Sequence, residues 1–316
     1  MNQVEKALKI LITGGAGFIG SHIQDAYIQA GHDVVVLDNL STGKKKFLNP
    51  GSQFVELDIR EKEKVNRLFE NEQFDVVNHH AAQINLRASV SDPAFDADVN
   101  IKGSLNVLEA SVKSGVKKFI FASTGGAIYG EQDVFPADEN HPIRPESPYG
   151  IAKLSIEKYL YYYEKVYGLK YFVLRYANIY GQRQNPHGEA GVVAIFCRKL
   201  VDNETPTING DGKQTRDYVH VSDVVKANLS ALDYKETGMV NIGTGVETTV
   251  NDIFNHLSSF SGNKMESAYG PAKKGEQQRS VLNNALAKQV LNWEPTISIE
   301  DGLFQTFEYF KNGELR

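Results

Sequence analysis

The sequence predicts an α/β fold: a doubly wound parallel sheet in the first part of the chain, followed by a second, smaller α/β unit. Three observations carry this. Short continuous apolar runs (LKILI, DVVVLD, QFVELD, FDVVNH and KKFIFAS) alternate with amphipathic helical patterns through the first half. Apolar strands without polar alternation are buried on both faces, which calls for a parallel sheet covered by helices. The first strand runs into closely spaced glycines and then a helix. Beyond Gly181 the rhythm loosens into irregular helices and short strands.

The organising stretch is Leu8 to Ile23, LKILITGGAGFIGSHI. Its glycines, Gly14, Gly15, Gly17 and Gly20, follow a G-x-x-G-x-x-G spacing. They let the backbone approach an anion closely, and the helix that follows, opening near Phe18 and Ile19, presents unpaired N–H groups and a positive dipole end. After Gly31 a second strand ends at Asp38, 18 positions past Gly20. An acid there is placed to accept hydrogen bonds from an adenosine ribose diol, which favours NAD and repels a 2′-phosphate. The unit therefore reads as a Rossmann-like dinucleotide domain. Lys44, Lys45 and Lys46, just beyond Asp38, read as a solvated loop.

Next come the strand ending at Asp58 and Ile59, the helix EKEKVNRLFENE, and the strand FDVVNH leading to Ala81, Ala82 and Gln83. A long helix follows Pro93, and KKFIFAS ends at Ser123 and Thr124. Ligands of such sheets bind at the carboxyl ends of the strands, so these are the candidate positions. His79 and His80 are adjacent strand residues that point to opposite faces, and no His/Cys/Asp/Glu set has ligand spacing, so no metal is expected. The stretch PADENHPIRPESP reads as an ordered loop. Pro148 then opens a strong helix, and YFVLRYANIYG reads as one further strand. Residues 1–177 with about 218–245 form the expected dinucleotide domain, and about 178–217 with 246–316 the second domain.

Bulk properties narrow the function. A net charge of −5 carries no basic footprint for nucleic acid. The single cysteine, Cys197, fits a reducing cytosol and reads as core filler. MNQVEK runs straight into the first strand with no signal-peptide pattern, and no apolar run approaches the roughly 20 residues of a membrane span. A cytoplasmic protein with no membrane partner is expected.

Tyr149 and Lys153 share a face of the helix after Pro148. An ammonium near a phenol favours the phenolate, so the pair makes a general base near neutral pH. Tyr161/Lys165 and Tyr269/Lys273 have the same spacing, but only Tyr149 stands at a helix start, about two dozen residues after FASTGGAIYG. Ser123 or Thr124 could donate to the same substrate oxygen.

At this point the chain resembles the extended short-chain dehydrogenases/reductases that act on nucleotide sugars, most nearly the UDP-glucose 4-epimerases of the shorter, prokaryotic kind. The resemblance rests on TGGAGFIGSHI, DNLSTG, NHHAAQ, DVNIKGSLNVLEA, STGGAIYGE, SPYGIAK, LRYANIYG, GEAGVVAIF, GDGKQTRDYVHVSDVV and NIGTG. It implies NAD on the larger domain, held by the glycine loop, Asp38, Asn39, Ser41, Thr42, Gly43, Asp58, Ile59, Ala81 to Gln83, Asn100, Tyr149, Lys153 and Tyr176, with a UDP-sugar in the cleft beside the smaller domain. Tyr149 would be the base and Lys153 its partner. Thr124 would be the hydroxyl, with Ser123 as the alternative because STGGAIYG has one residue more than the longer epimerases. Asn178 would bind on the sugar-phosphate side, Val192 and Val193 would approach the uracil, and Arg216 and Arg279 would neutralise the diphosphate. Ser280 would gate space beside the sugar 2-substituent and admit an N-acetyl group. The implied reaction is transient oxidation at C4, rotation of the keto sugar and return of the hydride to its other face.

Two rival readings have distinct signatures. A 4,6-dehydratase or a UDP-glucuronate decarboxylase shares the scaffold, but the dehydratases carry an Asp-Glu pair after the threonine where this chain has Gly125 and Gly126. A non-catalytic nucleotide-sensing protein would not need Tyr149 and Lys153. Helices 93–113 and 149–167 carry surplus apolar and tyrosine positions (Tyr159, Tyr161, Tyr162, Tyr163, Tyr167), which in the family pair across a two-fold. A homodimer is therefore expected.

Overall fold

The computed structural model describes residues 7–187, 191–262, 266–272 and 277–313. Strand β1 (Lys9–Thr13), helix α1 (Phe18–Gln29) and β2 (Asp33–Asp38) open the fold; β3 (Gln53–Glu56), α2 (Lys62–Glu72) and β4 (Val76–His79) continue it. Then come α3 (Leu86–Ser91), α4 (Pro93–Ala97), α5 (Ser104–Lys113), β5 (Lys118–Thr124) and α6 (Gly125–Ile128). Helix α7 (Pro148–Tyr167) leads into β6 (Lys170–Tyr176) and β7 (Asn178–Tyr180). The remainder holds α8 (Val192–Val201), β8 (Thr207–Asn209), β9 (Thr215–Arg216), β10 (Tyr218–His220), α9 (Val221–Asp233), β11 (Gly238–Ile242), β12 (Thr248–Thr249), α10 (Val250–Ser261), β13 (Ala268–Gly270), α11 (Ala285–Leu291) and α12 (Ile299–Lys311).

The main sheet has seven strands in the order β11-β6-β5-β4-β1-β2-β3. The neighbours among β1 to β5 pair in parallel. The order reverses direction at β1, so the crevice at the carboxyl ends of β1 and β4 is the switch point where such sheets bind ligands.

The chain divides into two compact units. One comprises the described residues up to Thr124 with Pro145–Leu174 and Asn228–Met239; the other is Gly125–Arg144, Arg175–Ala227 and the described residues from Val240 onward. The expected division at residues 177, 218 and 245 is thus redrawn: 125–144 joins the second unit, because Ala137 pairs with Leu282 and bonds Val281 and Asn283 through its main chain. The first core collects Leu11, Val35, Leu37, Val77, Phe119, Phe121, Ile156 and Leu160. The second collects Val193, Phe196, Cys197, Ile253, Phe254 and Phe307, with Cys197 fully buried.

Three expectations change in detail. The helix after Pro93 is interrupted by a π-turn, Asp98–Gly103, with Asn100 near its middle; such turns are frequent at functional sites. The strand read over YFVLRYANIYG breaks at Ala177, whose N–H bonds Ile242, and β7 leaves to pair in parallel with β10. Tyr163 is not a surplus surface tyrosine: it is 3% exposed and donates to Glu109.

Candidate active site

The glycine loop owes its path to β1 stopping against β2. Gly14 takes φ +71° and donates to Leu37 (2.7 Å). A Cβ there would lie 2.7 Å from the Ala81 nitrogen, so only glycine allows the loop to pass β4 this closely. A Cβ on Gly20 would meet the Gly14 carbonyl at 2.4 Å. Gly17 precedes α1 without a side-chain cap, which leaves the first N–H groups of Phe18 and Ile19 for an anion.

Asp38 ends β2, 7% exposed. Its Oδ2 accepts from Ala16 N–H (3.0 Å) and its Oδ1 from Leu40 N–H (2.8 Å). Each oxygen keeps a second lone pair for a diol. Burial pushes its carboxyl above the usual range, and the two amides oppose this. Gly43 packs on the carboxylate, where a Cβ would stand 2.8 Å from Oδ1. Ser41 and Thr42 are exposed on the loop between them.

Asp58 is already engaged. Arg60 grips it with Nε (3.0 Å) and Nη2 (2.7 Å), and Asn39 adds a bond of 2.9 Å. This bidentate pair holds the Asp58 carboxyl well below the usual carboxylate range. The guanidinium also sits 5.5 Å above Phe95. Sequence reasoning missed Arg60, although an arginine two residues past a strand-end acid is a local signal. Ile59 is buried: a Cβ on Gly103 would meet it at 2.7 Å, and its carbonyl accepts from Asn106 (3.0 Å).

Beyond β4, Gln83 and Asn100 lock together. Asn100 Oδ1 accepts from Gln83 N–H (2.8 Å), and its amide donates to the Gln83 carbonyl (2.9 Å). Ala81 N–H donates to Thr13 Oγ1 (3.2 Å). His79 lies between Thr13 and Ser104 hydroxyls (2.8 and 2.9 Å), and burial keeps both it and His80 neutral, His80 at about 3.

Ser147 caps α7 by accepting from Gly150 N–H (3.1 Å), with Pro148 in the first turn. Tyr149 is half-buried and Lys153 is 5% exposed. Lys153 donates to the Ala122 carbonyl (2.9 Å), and its ammonium lies 5.8 Å from the Tyr149 ring and 4.9 Å from Phe121. Burial pulls the Lys153 ammonium down to about 8, against the charges of Asp96 and Glu157. The expectation that Lys153 lowers the Tyr149 pKa is not met in the chain alone: burial pushes the phenol up, and Asp96 adds to this. A cation would have to arrive beside Tyr149 to reverse the direction.

Ser123 donates to Glu157 (2.6 Å) and is 3% exposed, so its hydroxyl is committed inside the first unit. Thr124 ends β5 and is half-buried.

In the second unit, the segment 278–280 runs beside β9, with Thr215 N–H on Gln278 and Asp217 N–H on Ser280 (both 2.9 Å). This sets Arg216 alongside Arg279. Arg279 makes a two-pronged bond to Glu247 (2.9 and 2.6 Å) and stacks 3.7 Å over Phe135. Arg216 donates to the Thr215 carbonyl (2.7 Å). Two arginines at facing positions of this ladder are the kind of groups that suit a diphosphate. Glu247 was not foreseen, because only chain folding brings it to Arg279. Asn178 is exposed at the start of β7, and Tyr176 is buried at the end of β6. Val192 opens α8 and is partly buried, whereas Val193 is 1% exposed and belongs to the core, so its side chain does not reach a uracil. Ser280 is buried, 3.7 Å from where a Gly126 Cβ would stand. The GEA stretch before α8 and Lys273 lie outside the described residues.

A family profile described as "NAD dependent epimerase/dehydratase family" matches residues 10–243. The chain belongs to this family. A UDP-glucose 4-epimerase of Mycolicibacterium smegmatis is 40% identical over 311 residues, covering 96% of this chain and 99% of that protein. The structure of the Thermotoga maritima UDP-glucose 4-epimerase with UDP-glucose is 52% identical, with a TM-score of 0.95 and coverage of 96% and 99%. That of the Thermus thermophilus UDP-glucose 4-epimerase with NAD is 43% identical, with a TM-score of 0.92 and coverage of 97% and 100%. NAD is the cofactor of the epimerase/dehydratase family, and the glycine cradle, the bare start of α1 and Asp38 fit it: anion donors at one end and diol acceptors at the other.

Proposed function

We propose that the chain is a UDP-hexose 4-epimerase, interconverting UDP-glucose and UDP-galactose and also accepting the N-acetylated pair. The observation that carries this is the Tyr149–Lys153 pair beside the end of β5, followed by Gly125 and Gly126 in place of acids. Tyr149 would take the proton from the sugar 4-hydroxyl and return one after the sugar has turned. Thr124 would hold that oxygen, and Lys153 would keep a positive charge beside the phenol. NAD, when bound at the glycine loop, supplies the hydride acceptor and donor at C4. Arg216 and Arg279 would anchor the diphosphate, Asn178 its sugar-phosphate side and Val192 the uracil, so the sugar is free to rotate while the nucleotide end stays bound. Elimination needs a further acid and base; a side chain at 125 would meet Leu282 at 2.5 Å, which argues against the dehydratase alternative.

Incubating the protein with UDP-galactose tests the reading. UDP-glucose formed without net cofactor reduction supports it; release of water or carbon dioxide from other sugar nucleotides points to a lyase, and no turnover of any UDP-sugar points to a sensor.

Thr124→Val is expected to lower kcat by roughly 10²-fold. Ser123→Ala should leave kcat within about threefold and cost about 1 kcal/mol of stability, because it removes a hydroxyl bond to Glu157. Steady-state kinetics with thermal unfolding of both variants separates the two. Tyr159, Tyr161, Tyr162, Val166 and Tyr167 leave α7 with an exposed apolar and aromatic face, which supports a homodimer. Sedimentation should give twice the 35.1 kDa chain mass, and Tyr161→Glu with Val166→Glu should give the monomer.

A further inference from the structure

Asp96 has no part in the reading above, yet it is 1% exposed on α4. Its Oδ1 accepts from Gln83 Nε2 and Asn100 Nδ2, both at 2.9 Å. Its Oδ2 is buried and has no hydrogen-bond partner among the described residues. Buried polar atoms are nearly always satisfied, so an orphaned carboxylate oxygen calls for a reason. Burial pushes the Asp96 carboxyl above the usual range, and the two amide donors and the Lys153 charge oppose this. Helix α4 packs on α3, on the π-turn and on α7. Its charge acts on both members of the Tyr149–Lys153 pair, raising each.

We infer that Asp96 is a positioning residue for the Tyr149–Lys153 pair: a fixed buried charge, bridged to Gln83 and Asn100, that sets the field in which the pair exchanges its proton. The inference rests on Tyr149 being the base. On α7, Glu157 accepts from Ser123. In the π-turn, Asp98 is tied to Lys102 (2.8 Å) and Arg60 (3.5 Å). Arg87 stands on α3, and burial keeps His79 at the end of β4 and His80 just past it neutral. Glu157 shares with Asp96 the effect on Lys153, and of the two acids Asp96 is the one that also bears on Tyr149. By linking Gln83 and Asn100 it also holds the strand-end loop at the same place, so charge and geometry are set by one side chain.

The sign is fixed by the charge. Removing a carboxylate makes a phenol easier to ionise and an ammonium easier to deprotonate, so both groups titrate at lower pH. Asp96→Asn keeps an acceptor for Gln83 and Asn100 while removing the charge, and Asp96→Ser is a second neutral replacement. The readout is the 295 nm absorbance titration of the NAD-bound enzyme, with the same titration in a Tyr149→Phe background subtracted to isolate Tyr149. We expect the midpoint to fall by about one pH unit in both neutral variants, a change of about 1.4 kcal/mol between the two protonation states. Both limbs of the pH–rate profile with UDP-galactose should move with it. Asp96→Glu, which keeps the charge, should stay within about 0.3 unit of the parent. An unmoved midpoint in the neutral variants, or an equal shift in Asp96→Glu, overturns the inference. The titration needs no turnover, so a chain inactive on every UDP-sugar would sink the epimerase reading while leaving this one to its own result.

Discussion

Tyr149→Phe is expected to lower kcat for UDP-galactose by roughly 10³-fold, within the range of a lost general base, with KM changed less than about threefold. The ring remains, so its place beside the Lys153 ammonium persists; only the hydroxyl proposed to exchange the proton is gone. Thermal unfolding should move by less than about 2 °C, since no hydrogen bond to a buried partner among the described residues is removed. The pH dependence supplies a second check. In the chain alone burial holds the phenol protonated, so the bound state must bring a positive charge to ionise it near neutrality. Lys153 already stands beside the phenol and, at about 8, adds its own charge to whatever arrives only below its midpoint, so the parent's rate should fall on the alkaline side as Lys153 deprotonates. In Tyr149→Phe the residual rate should have lost this dependence. Activity within tenfold of the parent would move the base to another group.

What the sequence revealed and what it hid divide by distance along the chain. The glycine loop, Asp38 and the Tyr149–Lys153 pair were legible because each depends on neighbours within one strand–turn–helix unit, where period and spacing dictate geometry. The helix start at Pro148 was legible for the same reason, since Ser147 and Pro148 act on the next three residues. Residues whose roles depend on remote partners were not. Glu247 meets Arg279 from 32 residues away, and Asp96 reaches Gln83 across 13. The break at Ala177 needed knowledge of β10, which captures β7 and ends a run that looked like one strand. Val192 and Val193 differ only in which side of α8 faces the core, and an apolar run with both on it does not reveal that face. Ser123 and Thr124 were indistinguishable by type; the alternation of side chains along β5 gives Ser123 to Glu157.

Ser280→Tyr is expected to cut kcat/KM for UDP-N-acetylglucosamine by about 10²-fold or more while leaving UDP-galactose within about fivefold, since a steric gate opposes only the larger substrate. The argument starts from the backbone. Asp217 N–H holds the Ser280 carbonyl, so residue 280 has a fixed place beside α6, and its hydroxyl lies 3.7 Å from where a Gly126 side chain would begin. Glycine at 126 and serine at 280 therefore leave room on both sides of one small space. A tyrosine at 280 puts a phenol ring where a single hydroxymethyl group stood, and Gly126 offers no side chain to stop it from occupying that space. The substitution is tolerable for folding if the ring swings toward Gly126, and thermal unfolding within a few degrees of the parent would show that it does. Equal kinetics for parent and variant on UDP-N-acetylglucosamine would mean that the N-acetyl group, if it is accommodated at all, sits elsewhere. Loss of both activities together would make 280 a structural position and remove the gate from the account. The informative ratio is thus between the two sugars in one variant, because a general disturbance of the arginines proposed to hold the diphosphate, one of which is the adjacent Arg279, would lower both rates alike and leave that ratio unchanged.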